Sequence, residues 1–321
     1  MINIIKNIIK KISVFIDILL APLVLISILI IKLTRKLGLH RLKISKSLYF
    51  NFGVFPVTNH YYDPFYSLKD ISDNNKERQL PGIKLNVQEQ LLELSNLVFS
   101  KELEKMPLNK IDDSSFYWSN GSFESGDAEI WYNLIRNKKP KIIIEIGSGY
   151  STLLAIEAIK KNMDDDDMYF CEHICIEPYE FNWLEGKNIK VIRQKVEDVD
   201  INIFHNLNAN DFLFIDSSHM IKRDGDVLHE YLQILPILNK GVIVHVHDIF
   251  TPNDYPYDWA TKYLRFWNEQ YLFEAFLTGN YEWSTLLSLN YLQHNHFNEL
   301  QSSCLVLDKD REPGSFYIQR K

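Results

Sequence analysis

The segment Lys141-Ile-Ile-Ile-Glu-Ile-Gly-Ser-Gly-Tyr-Ser-Thr152 sets an apolar run, an acid and two glycines directly ahead of a helical pattern. The run Ile142–Ile146 reads as a buried parallel strand. Gly147 and Gly149, flanking Ser148, let the backbone turn sharply and lie against a ligand where a side chain would collide. Ser151 or Thr152 can cap the helix that follows, whose first N–H groups favour negative charge. A dinucleotide turn wants a third glycine where this chain has Thr152, and Glu145, two residues before the first glycine, suits a cationic ligand instead. The plainer alternative is a glycine turn between any strand and helix of an α/β protein.

The pattern around this turn fixes the fold class. From Ala128 helix and strand alternate: a helix over Ala128–Arg136, the first strand, a helix over Thr152–Lys161, then short apolar strands at Ile174–Ile176, Lys190–Arg193, Asp211–Ile215 and Val242–Val246. A helix over Val227–Leu238 bridges the last two. Tyr257–Leu277 reads as helical, with late strands at Glu282–Leu289 and Ser315–Gln319. The expectation is a doubly wound, mostly parallel Rossmann-like sheet over residues 128–321. Residues 47–127 read as a cap, with a dense aromatic stretch at Phe50–Tyr66 that is not helical and a helical spacing of apolar residues over Val87–Lys105. The four acids Asp164–Asp167 are a solvated loop.

Residues 1–46 read as a membrane anchor with a basic linker. Ile12–Ile31 is a twenty-residue apolar stretch interrupted by Asp17, Pro22 and two serines, long enough as a helix to cross a hydrocarbon layer of about 30 Å. It is longer than a signal-peptide core, and no small-x-small cleavage site follows. Lys32, Arg35, Lys36, Arg41, Lys43 and Lys46 outnumber the bases on the other side, which keeps the C-terminal flank in the cytoplasm. A re-entrant anchor kinked at Pro22 fits the same charges. The net charge of −7 argues against nucleic acid as a partner. Cys171, Cys175 and Cys304 are odd in number and lack the second pair of a zinc site, so they read as free thiols.

In an open α/β sheet ligands lie beyond the carboxyl ends of the strands. Those ends carry Glu145 and the glycine turn, Glu177, then Val196, Glu197 and Asp198, then Asp216-Ser-Ser-His219, and finally His245-Val-His-Asp248. Three readings of the last two groups stand side by side. Asp216, His247 and Asp248 could hold a divalent ion that activates an acceptor oxygen. His219 or His247 could act as a general base without metal. The same groups could simply tie down the loops that close over the sheet.

The acid-x-Gly-x-Gly turn resembles the first motif of the class I S-adenosylmethionine-dependent methyltransferases. Phe214-Ile-Asp-Ser-Ser-His219 and Gly241-Val-Ile-Val-His-Val-His-Asp-Ile-Phe250 look like the branch related to sugar and macrolide O-methyltransferases and cephalosporin hydroxylases. Gly53-Val-Phe-Pro56, His60-Tyr-Tyr-Asp-Pro64 and Leu80-Pro-Gly82 further look like a bacterial membrane-tethered subgroup. The resemblance implies that S-adenosylmethionine is the cofactor and that Glu145 faces its amino-acid end. It places Gly147, Ser148, Gly149, Ser151 and Thr152 around the cofactor, Glu177 on the ribose hydroxyls, and Val196 and Glu197 near the adenine. Lys195 stands where an acid near the adenine amino group is expected. In that branch acids after strands four and five ligate magnesium, whereas this chain has His247 at one such position. His219 and Asp248 are the candidate catalytic pair.

The function so implied is O-methylation of a glycan, lipid-linked or small-molecule acceptor at the cytoplasmic face of the membrane. A cofactor-binding scaffold without turnover, serving an envelope-biosynthetic complex, is the alternative. A nicotinamide oxidoreductase is disfavoured by Thr152 and Glu145.

Overall fold

Five short apolar runs supply the parallel strands; four are almost wholly buried, as strands covered by helices on either side must be, and the remaining one, Lys190–Ile192, is an edge strand that is only half-buried to exposed. In the computed structural model, which describes residues 2–57, 62–64, 71 and 77–321, they are β1 (Ile142–Ile146), β2 (Glu172–Ile176), β3 (Lys190–Ile192), β4 (Phe212–Ile215) and β5 (Ile243–Val246). Two later strands, β6 (Trp283–Ser288) and β7 (Phe316–Arg320), complete one sheet of order β3-β2-β1-β4-β5-β7-β6. β7 runs antiparallel to both β5 and β6. The winding reverses between β1 and β4, and such a switch point opens a crevice for ligand at the carboxyl edge.

The register continues one residue past the strands. Gly147 N–H donates to Ile176 O at 3.1 Å, Glu177 N–H to Ile192 O at 3.1 Å, Asp216 N–H to Ile146 O at 2.9 Å and His247 N–H to Ile215 O at 2.9 Å. These bonds set Gly147, Glu177, Asp216 and His247 side by side along one edge of the sheet.

The helices, in chain order, are α1 (Ile2–Leu37), α2 (Lys43–Asn51), α3 (Val87–Ser95), α4 (Asp127–Lys138), α5 (Tyr150–Asp165), α6 (Asp226–His229), α7 (Tyr257–Thr261), α8 (Glu269–Leu277), α9 (Leu289–Asn295) and α10 (Phe297–Ser302). One compact unit comprises Met1–Ser72 and another Asp73–Lys321. In the second unit, alternation along the strands splits the core between the two sheet faces. Ile143, Phe212, Phe214 and Ile243 pack with α4, α5 and Leu94, Leu97, Leu103, Phe116, Trp118 and Phe123. Ile144, Ile146, Leu213, Ile215, Val244 and Val246 pack with Val227, Tyr231, Phe273 and Phe316 on the other face. Residues from the region read as a cap thus share the core of the sheet. Trp131 of α4, fully buried, meets Phe212 and Phe214 at ring separations of 5.2 and 5.3 Å, and each such ring contributes about 1.5–3 kcal/mol through burial.

Three expected helices break. After α6 the chain runs through a wide turn at Glu230–Ile234 and a tight one at Leu235–Ile237, because Pro236 has no N–H to give to a continuing helix. The spacing over 87–105 yields α3 and a separate single turn at Ser100–Leu103. Residues 257–277 form α7 and α8, separated by a loop in which Leu264 takes a positive φ of 52°.

In the first unit α1 carries Ile12–Leu37, a 26-residue stretch long and apolar enough to cross a membrane, and among the described residues no other helix meets that condition. At its end Arg35 grips Asp63 through two bonds of 2.8 and 2.7 Å, and Thr34 Oγ1 lies 3.0 Å from Tyr49 Oη. Phe50 falls at the end of α2, so the aromatic stretch starts helical. Residues 58–61 and 65–66 of that stretch lie outside the described residues.

Candidate active site

A cavity of about 690 Å³ opens where the strand ends converge, bounded by the glycine turn, Glu177, Val196, Glu197, Asp216 and Asp248 among others. Gly147 makes the turn possible: its φ is +81°, and a Cβ there would lie 2.0 Å from the carbonyl oxygen of Asp216. Gly149 N–H is held by Thr152 Oγ1 at 3.0 Å. Glu177 bridges the neighbouring loops, accepting from the N–H groups of Tyr179 and Glu180 at 2.8 and 2.9 Å and from Ser148 N–H at 3.4 Å. Ser148 Oγ is buried with no partner among the described residues.

Glu145 does not face the cavity. Its side chain is fully buried beneath the turn, where it accepts from Thr152 Oγ1 at 2.7 Å and Ser151 Oγ at 3.2 Å and meets His173 Nε2 at 2.7 Å. The expectation that Glu145 contacts the ligand is therefore corrected. Residue 145 lies on the sheet face that carries α5, so its carboxylate pins the first turn of that helix from below. Burial opposes a charge on His173, but Cys175 and Glu145 beside it outweigh burial and push its pKa up to about 10. His173 is thus the buried partner of Glu145 in the core. Thr152, fully buried and occupied by Glu145 and Gly149, likewise acts through the turn, whereas Gly147, Ser148, Gly149, Ser151, Glu177, Val196 and Glu197 all reach the cavity wall.

The polar cluster at the far end of the cavity is built from two strand ends and a helix. His219 Nε2 lies 3.1 Å from Asp216 Oδ1 and 3.6 Å from Asp248 Oδ2, while its Nδ1 meets Glu269 Oε2 at 2.8 Å. Glu269, at the start of α8 and fully buried, also accepts from Tyr231 Oη at 3.0 Å. His219 and Asp248 both hold the left-handed backbone, with φ of 56° and 57°. Non-glycine residues adopt it at a cost, and such strain gathers at functional sites. Gly314 backs the turn: a Cβ on it would come within 3.1 Å of Asp248 Cα.

Electrostatics follow from burial. Burial disfavours an imidazolium at His219, yet hydrogen bonds to Asp216 and Glu269 hold its pKa well above the ordinary value. Burial pushes the Asp248 carboxyl up, against the pull of His247 and His219. Asp216 is held below the usual range because His247 and His219 outweigh its own burial. The ligand atoms of Asp216, His219 and Asp248 all lie within 4.8 Å of one another. His247 is not among them: its Nε2 is 3.8 Å from Asp248 Oδ1, and its ring packs 5.2 Å from Phe123. The expected set of Asp216, His247 and Asp248 is corrected to one in which His219 takes the place of His247, because the left-handed turn swings the ring of His219 back over the strand ends. His245 is a core residue, its ring 4.2 Å from Phe214 and its pKa driven well down by burial and then by His247.

Residues 144–249 match the family model of a methyltransferase domain. The chain carries a methyltransferase domain. It also belongs to the same family as an uncharacterized protein of Archaeoglobus fulgidus, to which it is 31% identical over 171 residues, spanning 49% of this chain and 75% of that one. Among solved structures it is similar to an O-methyltransferase of Streptomyces achromogenes involved in tomaymycin synthesis, in complex with S-adenosylmethionine. That likeness has 13% identity and a TM-score of 0.37, covering 71% of this chain and 89% of that one. An O-methyltransferase of Bacillus cereus in complex with S-adenosylhomocysteine gives 13% identity, the same TM-score of 0.37, and 72% and 91% coverage.

Several residues of the methyltransferase domain's cavity escaped the sequence reading. Trp259 of α7, with Arg265 and Trp267 of the loop between α7 and α8, lines it, in a stretch whose apolar spacing resembled one continuous helix. Trp267 packs against His219 at a ring separation of 4.3 Å, tilted by 39°. Glu269 lies fifty residues from the histidine it orients, and no local signal joins them.

Proposed function

We propose that this protein transfers a methyl group from S-adenosylmethionine to a hydroxyl oxygen of a glycan, lipid-linked or small-molecule acceptor. The observation that carries the reading is the single cavity that joins a glycine turn and a strand-end carboxylate to a strained Asp216–His219–Asp248 cluster. Its volume of about 690 Å³ suits a nucleoside cofactor with an acceptor beside it. The methionine portion lies along Gly147–Gly149, with Ser148 Oγ as a free polar contact. Glu177 receives the ribose hydroxyls, and Val196 and Glu197 flank the adenine.

The acceptor hydroxyl then sits at the Asp216–His219–Asp248 cluster. Asp248, whose carboxylate reaches the cavity, takes the hydroxyl proton on an oxygen as the acceptor oxygen attacks the methyl carbon and the carbon–sulfur bond breaks. Glu269 fixes the His219 ring through Nδ1, so that Nε2 stays aimed at both acids. Trp267 covers the ring and excludes water. The three donors also fit a divalent cation, since a carboxylate-oriented histidine between two carboxylates is a common ligand arrangement. Such an ion would hold and polarise the acceptor oxygen.

The apolar helix α1 anchors the enzyme in the membrane, with the domain after it on the cytoplasmic side as the basic flank favours. Isothermal titration with S-adenosylhomocysteine, paired with methyl transfer from labelled S-adenosylmethionine to a membrane glycan and lipid extract, tests the reading. Asp248→Asn should lose roughly a hundredfold or more in transfer while keeping the homocysteine product's affinity. A protein that fails to bind S-adenosylhomocysteine, or an Asp248→Asn variant with a near-normal rate, rejects it.

A further inference from the structure

The acceptor end of the cavity presents a cation that has no anion. Arg265 lies on its wall, exposed, with its guanidinium 4.5 Å from the centroid of the Trp259 ring and 4.6 Å from that of Trp267. The two indoles stand at 83° to one another, so they form a corner around the guanidinium carbon. Attraction to the ring faces fixes where the cation sits but leaves the N–H donors, which radiate in the guanidinium plane, unused. None of those donors meets an acceptor among the described residues, and no carboxylate forms an ion pair with Arg265 there. Most other arginines of the molecule differ. Arg78, Arg136, Arg193 and Arg320 each pair with a carboxylate.

The loop is built to hold this arrangement. Arg265 N–H donates to Trp259 O at 2.8 Å, which folds the segment back on itself, and Trp259 is itself pinned edge-on to Phe250 at 5.2 Å. Trp267 neighbours both groups, with the guanidinium 4.6 Å and the His219 imidazole 4.3 Å from the centre of its ring. The fork of donors and the cluster assigned to the acceptor hydroxyl thus share one indole as a common neighbour. Lys222, also on the cavity wall, adds a second positive charge without an ion-pair partner among the described residues.

We propose that Arg265, set in its tryptophan corner, binds an anionic oxygen group, a phosphate or a carboxylate, carried by the methyl acceptor. The acceptor is then an acidic molecule, such as a phosphorylated or uronic-acid-type sugar. A guanidinium fork matches both anions in bidentate geometry, which a lysine cannot. This substrate class rests on the methyltransferase reading, but the anion site itself does not.

The test uses the full chain in detergent and reads tryptophan fluorescence, since both indoles flank the proposed site. Inorganic phosphate, acetate, glucose, glucose 1-phosphate and glucuronate are titrated with and without S-adenosylhomocysteine. The charged sugars should bind roughly tenfold or more tightly than glucose. Arg265→Met, of similar length and without charge, should abolish that preference, while Arg265→Lys should keep only part of it. Preference for glucose 1-phosphate assigns a phosphoester, and preference for glucuronate assigns a carboxylate. Equal affinity for charged and neutral sugars, or an anion preference that survives in Arg265→Met, overturns the proposal. Because phosphate is titrated without cofactor, a failure of S-adenosylhomocysteine to bind would fall on the cofactor reading and leave the anion result decisive here.

Discussion

The tightest steric point of the site is Gly147, and it makes a prediction that separates folding from ligand binding. In Gly147→Ala the new methyl would stand 2.0 Å from Asp216 O at a φ of +81°. A left-handed alanine costs about 1–2 kcal/mol, and parting the β1 turn from the end of β4 adds about 1–3 kcal/mol in overpacking, together roughly 2–5 kcal/mol. That is a large share of the roughly 5–15 kcal/mol that holds a domain folded. Gly149 is the contrast. A Cβ there meets only the Phe181 ring at 3.5 Å, an ordinary contact, so Gly149→Ala should change stability by less than about 1 kcal/mol. Guanidinium unfolding of the full chain, followed by tryptophan fluorescence, reads stability. Titration with S-adenosylhomocysteine reads the turn. Gly147→Ala should lower the unfolding midpoint and the affinity together, whereas Gly149→Ala should lower affinity at an unchanged midpoint. A Gly147→Ala protein with the wild-type midpoint would show that the turn relaxes freely and that the close approach of the two strand ends does not constrain the fold.

Two further outcomes are expected. Arg136 is almost fully buried and binds Glu102 through two nitrogens at 2.8 and 2.9 Å, so Arg136→Met should cost roughly 2–4 kcal/mol at neutral pH. Burial opposes charge on the Glu102 carboxyl, but Arg136 and Tyr132 outweigh it and hold its pKa below the ordinary value. The pair's contribution is therefore complete above the ordinary carboxyl pKa of about 4.3 and disappears as pH falls through the lower folded value. Unfolding curves between about pH 2 and 5 should show the wild type losing stability faster than Arg136→Met, and parallel curves would contradict the assignment. Separately, a chain starting at Ser47 should leave the membrane fraction on carbonate extraction. Retention would place a second membrane contact in the remaining residues.

What was legible in the sequence follows from the range of the forces involved. β1, with its four isoleucines, is readable because burial on both faces leaves no alternation to misread, and the turn is readable because only glycine tolerates the approach that Gly147 makes. The strand-end rule then located Glu177, Asp216, His219 and Asp248 without any knowledge of their distances. Direction was another matter. Glu145 looked like a ligand contact by its place beside the turn, yet the strand's two-residue period turns it under α5, where His173 of the neighbouring strand pairs with it. His247 and His219 were equivalent as letters, and a left-handed turn at His219, invisible in composition, decided which imidazole joins the two acids. The partners that finish the site, Glu269 on one nitrogen and Trp267 against the ring, come from a segment whose apolar residues mimic a helix. They are therefore set by where α7 stops rather than by any motif. A site whose anchors are local and whose orienting groups are distant can be found from sequence, but its chemistry is assigned only once the chain has closed over it.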